Sequence, residues 1–140
     1  MKAQKVKGLK PDRSLGPNAA RIVATRLEEL RGFADDALEP GATEAQHEMR
    51  IAAKRLRYLL EVTESCFEPV GKPARLRVKE LQGILSDLRD AETMLDRETG
   101  IASLESLLRT RRELLFARFQ EFWEEEKTVE ALDRLEATVS

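Results

Sequence analysis

The chain has 140 residues and a formal net charge of −2, with 41% apolar and 36% charged side chains. That length suits one domain able to bury roughly 70% of its unfolded surface, and the composition excludes a disordered chain. No apolar run approaches the roughly 20 residues needed to span a bilayer, so no membrane role is expected.

The charged start, MKAQKVKGLKPDRSLG, lacks the apolar stretch of a secretory signal. A lone Cys66 forms no intrachain disulfide and fits a reducing cytoplasm. The charge is uneven. Residues 1–60 carry 12 Lys/Arg against 8 Asp/Glu, and residues 61–140 carry 12 against 18. An acidic average therefore hides a basic region, and screening beyond about 10 Å lets a local surface act independently of the average.

Residues 1–16 read as a flexible basic segment and residues 17–140 as a single helical domain. The first predicted helix covers about 17–38. Pro17 suits its first position, where a missing N–H costs nothing. Its apolar stripe is Ile22, Val23, Leu27, Leu30, Phe33 and Ala37. The second covers about 44–66, with Thr43 as N-cap and Gln46 completing a capping box. It offers Met49, Leu56, Leu59 and Leu60, with Phe67 just beyond, and Pro69 and Pro73 end it.

The third predicted helix covers about 73–97, with Val78, Leu81, Ile84, Leu85, Leu88 and Leu95 as its stripe. Gly100 suits a left-handed turn after it. The fourth covers about 101–126, with Leu104, Leu108, Leu115, Phe119 and Phe122. The segment TVEALDRLEATV reads either as a short fifth helix or as a tail that folds on a partner. Apolar residues recur at three and four, not two, so no strand is expected. Long helices with short connections predict an all-α protein, an antiparallel four-helix bundle with room for that short C-terminal fifth helix.

The second helix also carries a basic line. His47, Arg50, Lys54 and Arg57 follow the spacing +3, +4, +3 and fall within about an 80° sector, about 15 Å long. Arg55 points elsewhere on the wheel. In the third helix Arg75, Lys79, Gln82, Ser86, Arg89 and Thr93 form a similar line without an acid. Like charges at i,i+4 cost a helix a few tenths of a kcal/mol, and ordinary solvated faces alternate sign. Something negative must compensate: acids on neighbouring helices, or an external anion.

Three residues keep two readings. Arg26 and Arg112 sit inside apolar stripes, where each either snorkels from a core edge or reaches into the same groove as the basic lines. His47 lies near a helix start, where unpaired N–H groups attract anions. It is either a capping or packing residue, or a hydrogen-bond donor to a bound anion.

The sequence holds no Gly-rich phosphate loop, no nucleophile paired with a base and no Cys/His metal cluster, so neither an enzyme nor a cofactor or metal is expected. Aromatic residues are only 5%, and only Tyr58 lies near the basic lines, so a base-stacking nucleic-acid platform is disfavoured.

The stretch HEMRIAAKRLRYLLE, residues 47–61, resembles the CHAD family, the conserved-histidine α-helical domain. It has the family's form: His, Arg three residues on, a basic pair, then Leu-Arg. The stretch LQGILSDLRDAETML, residues 81–95, is similar to the family's third-helix segment. Together they cover roughly residues 44–96. The start, AARIVATRLEELRGFADDAL, is compatible with the family but generic.

The resemblance implies an all-helical domain that binds inorganic polyphosphate through a basic groove, without catalysis. It assigns His47, Arg50, Lys54, Arg55 and Arg57 to that groove by position, and Arg89 from the third helix. Arg75 and Lys79 join from the wheel and from the basic character of that helix in the family. It also implies a cytoplasmic protein associated with polyphosphate granules. Family domains typically contain two such units in tandem, and this chain carries one copy, so a homodimer is the natural expectation. The competing expectation is a helical interaction module whose basic lines meet an acidic protein surface.

Overall fold

A computed structural model describes Ala3 and residues 15–97 and 100–140. The expected flexible segment 1–16 lies almost wholly outside the described residues. The described chain is helical throughout: α1 (Leu15–Gly32), a single-turn α2 (Ala34–Ala37), α3 (Thr43–Thr63), a 3₁₀ turn (Glu64–Phe67), α4 (Gly71–Asp96), α5 (Ala102–Glu124) and α6 (Glu126–Val139). No strand occurs among the described residues. No described helix is long and apolar enough to cross a membrane.

The helices close around one core. α3 packs most extensively on α4, α1 lies against α3 and α6, and α5 lies along α4. Val23, Leu27 and Leu30 of α1 are fully or almost fully buried, as are Met49, Leu56 and Leu60 of α3 and Leu81 and Leu85 of α4. Phe119 and Phe122 bring the end of α5 into the same cluster. The three- and four-residue spacing of these side chains gives each helix one apolar stripe, and burying the stripes together drives the assembly.

Several expected details differ. The first helix is interrupted at Phe33, whose N–H bonds back to Leu30 O at 3.3 Å in a tighter turn before α2 resumes. That step keeps Ala34 and Ala37 buried. Thr43 is not an N-cap: α3 starts on it, Ala42 precedes it, and no side chain caps the end. Gly41, at φ 78°, turns the chain so that the Thr43 N–H donates to Gly41 O at 2.8 Å. Gln46 therefore reaches away from its own helix start and donates to Ala37 O at 3.1 Å. Gly100 does take the expected left-handed conformation, φ 74°.

The C-terminal segment is a helix packed on the domain. α6 buries Leu132, Leu135 and Val139. Arg31 of α1 ties it down by bonding Asp133 at 2.9 Å and Glu136 at 3.2 Å. By contrast Leu107 and Leu114 of α5 stay 64% and 66% exposed.

The reversal between α3 and α4 fixes how these two helices face each other. Gly71 opens α4 directly against the backbone of Glu64, where an added Cβ would lie 2.5 Å from the Glu64 carbonyl oxygen. Gly71→Ala is expected to cost about 1–3 kcal/mol, the range for overpacking a tight site. Urea denaturation of the variant checks this.

Candidate functional site

The basic lines meet because of which flanks the bundle consumes. On α3, the flank carrying Ala52 and Arg55 is spent on α1: Ala52 is buried, and Arg55 bonds Glu29 of α1 at 3.3 Å. On α4, the flank carrying Glu80, Ile84 and Ala91 is spent on α5, with Ile84 and Ala91 buried and Glu80 bonded to Arg118 at 2.9 Å. The flanks left over carry His47, Arg50, Lys54 and Arg57 on one helix and Arg75, Lys79, Gln82, Ser86 and Arg89 on the other. In adjacent antiparallel helices both turn to the same outer side. Gln46 and Leu88 line one cleft. The Glu64–Arg75 bond joins the end of α3 to the start of α4, so the Arg57 end of one line runs toward the Arg75 end of the other.

Lys54 and Lys79 are exposed, while His47, Arg50, Arg57, Arg75, Gln82 and Arg89 are half-buried. Seven sealed side-chain polar atoms among the described residues lack a hydrogen-bond partner, and four fall on these lines: His47 Nδ1, Arg50 Nε, Arg57 Nε and Gln82 Oε1. A polar atom withdrawn from water without a partner costs about 1–3 kcal/mol. Arg50 Nε is left without a hydrogen-bond partner, and Arg57 Nε has only the Glu61 carboxylate, 3.8 Å away. Arg57 also lies over the Tyr58 ring at 4.6 Å, and Lys54 at 5.8 Å. Both cations are drawn to the negative π-system of that ring.

The charge is graded along the groove. At the end near the 3₁₀ turn, Glu64 bonds Arg75. Glu61 comes within 3.8 Å of Arg57. Toward the start of α3, no acid pairs with His47, Arg50 or Lys54 among the described residues.

Against this geometry, the family model of the CHAD domain matches residues 21–140. The chain belongs to the CHAD domain family. No curated protein and no solved structure matches it.

Within this CHAD domain, the residues singled out from the sequence divide. Arg55 does not join the groove. It meets Glu29, which is 2% exposed and also holds Arg26 at 3.2 Å. Arg26 and Arg55 therefore share one buried carboxylate between α1 and α3, a compensation supplied from inside the fold. Arg112 does not join Arg26 either. It lines a cleft of ≈ 250 Å³ with Gln46, Leu88, Glu92 and Phe116, on the α5 side of α4. No three His, Cys, Asp or Glu side chains converge as metal ligands among the described residues.

Glu29 and Glu92 escaped the sequence reading. Arg26 three residues before Glu29 was the available signal, but only the α1–α3 contact brings in Arg55. Glu92 is 9% exposed at the apolar edge of α4. Burial holds its carboxyl above the usual 4.5, Asp96 adds to the rise, and Arg112 and Arg89 oppose it. The folded state therefore favours the protonated form. The stability this gives is complete below the unfolded value and is lost as pH climbs through the raised one. Glu92→Gln should melt above the wild type near pH 7, with the gap closing near pH 4. Circular-dichroism melts across that range test it.

Proposed function

We propose that this CHAD domain binds inorganic polyphosphate along the α3–α4 groove, without chemically altering it. The observation that supports the reading best is the gathering of basic side chains with little acid among them along the two lines, with Arg50 Nε on α3 left without a hydrogen-bond partner. A phosphate polymer presents acceptor oxygens at every unit, so a linear ligand suits a linear array. Arg supplies planar forks and Lys a compact charge. His47, Arg50, Lys54, Lys79 and Arg89 form the part of the site with no acid bonded to it among the described residues. Arg57 and Arg75 would exchange Glu61 and Glu64 for phosphate. Arg55 stays with Glu29 and acts on stability.

The binding physics is displacement of condensed counterions, so affinity should fall steeply with salt. Removing Arg50 and Lys54 together should weaken long-chain polyphosphate about tenfold or more and lower the salt slope by about 1 per charge removed. Arg55→Ala should weaken folding while leaving affinity nearly unchanged. Titration calorimetry at several salt concentrations, with an assay for released orthophosphate, tests all of this. Equal affinity in a folded Arg50/Lys54 variant, or phosphate release, would refute the reading.

A homodimer is the second part of the proposal, and the exposed Leu107 and Leu114 favour it. They stand seven residues apart on the outer side of α5, where a second copy would have apolar surface to bury. Leu107→Glu with Leu114→Glu should turn a dimer into a monomer in sedimentation equilibrium. A wild-type chain that sediments as a monomer at high concentration rules the dimer out. The same stripes meeting an acidic protein surface is the competing use of the groove, and polyphosphate failing to bind at low salt would favour it.

A further inference from the structure

A hollow of ≈ 450 Å³ lies between the start of α4 and α6, and Lys72, three residues before Arg75, stands at its edge toward the groove. Its apolar wall is Val70, Pro73, Leu76 and Ala131. Leu76 is 46% exposed, so a large aliphatic side chain stands partly in water there. Around the wall stand Lys72, Arg77, Lys127 and Arg134, with Glu130 as the single acid of the lining.

The charges are not spent on one another. Arg77 is engaged: it reaches Glu80 and Glu125 at 3.8 Å each and leans over Phe122. Lys72, Lys127 and Arg134 make no ion pair among the described residues. Glu130 sits between Lys127 and Arg134 along α6 and pairs with neither. Three free cations thus face one free acid. The first turn of α4, which holds Lys72, has no acidic residue and no side-chain cap, so the positive end of that helix adds to the same field.

We propose that this hollow binds an amphiphile with a phosphate head on a short alkyl body, an alkyl phosphate monoester. The head matches the three cations and the body covers Leu76, Pro73 and Val70. Inorganic polyphosphate uses only the first of these features. A fatty acid carries one charge where the site offers three. The volume is that of a pocket for one small ligand, not of an extended interface.

Leu76, Lys72, Lys127, Glu130 and Arg134 are all exposed, so substitutions there leave the core intact. The test titrates the full chain with octyl phosphate below its micellar concentration, with 1-octanol and inorganic phosphate as the two half-ligands. Octyl phosphate should bind about tenfold or more tighter than either half. Lys72→Ala/Lys127→Ala/Arg134→Ala and Leu76→Asp should each weaken it about tenfold, and Glu130→Gln should strengthen it. The Arg50/Lys54→Ala groove variant should bind octyl phosphate like the wild type. Co-sedimentation with phosphatidylcholine vesicles containing phosphatidic acid, lost in Leu76→Asp, would identify a lipid as the source of the monoester. Octyl phosphate binding without co-sedimentation would identify a free one. Inorganic phosphate binding as tightly as octyl phosphate, unchanged affinity in the triple variant, or no binding in either arm would overturn the proposal.

Discussion

Close packing of α3 on α4 is the constraint from which the rest of the site follows. Small side chains permit it: Ala53 and Ala74 are completely buried, and Gly71 meets the Glu64 backbone where no Cβ fits. Two helices held this near each other have one inner side and two flanks apiece. α1 covers one flank of α3 and α5 covers one flank of α4. What remains is a shared outer side, and the sequence places its basic residues there. The groove is the residue of a packing solution, with chemistry written on the surface that packing left free.

Like charges in a row oppose helix formation, and the bundle tolerates them unequally. Near the 3₁₀ turn, Glu61 and Glu64 lie against Arg57 and Arg75. Near the start of α3 no such ion pair reaches His47, Arg50 or Lys54 among the described residues. On the α1 side, Arg55 and Arg26 are relieved by Glu29, a buried carboxylate. Removing a single partner from a buried pair costs more than the pair contributes, so that cluster ties α1 to α3 firmly. Basic residues relieved by internal acids and basic residues without such relief thus coexist on one helix, about a third of a turn apart.

Much of this was legible in the residues. Apolar spacing gave the long helices and most of their buried faces, because a stripe at three and four has no other stable use than a core. The wheel also separated Arg55 from His47, Arg50, Lys54 and Arg57, whereas the family motif grouped all five. The Arg55–Glu29 bond lies on the side where the wheel put Arg55. The break at Phe33 and the failed capping box were not legible. Both depend on how α2 and Gly41 route the chain, and Gln46 found a better acceptor in Ala37 O than at its own helix start. Glu29 was hidden for a related reason: its second partner comes from a helix whose facing side only tertiary packing defines. Amphipathic spacing in the last segment suited a packed helix and a tail equally, until Arg31 and the buried Leu132, Leu135 and Val139 settled its place.

Tyr58 has a consequence beyond charge. It is the chain's only tyrosine, it is 48% exposed, and Lys54 and Arg57 lean on its ring from within the groove. The only tryptophan, Trp123, lines a separate hollow bordered by Arg31, Ala34 and Leu132. The protein therefore carries two intrinsic chromophores with separate subjects. Tyrosine emission follows whatever draws the two cations off the phenol, and tryptophan emission follows the seating of α6. Any ligand that moved Lys54 or Arg57 would therefore change the surroundings of this one phenol in the unlabelled chain.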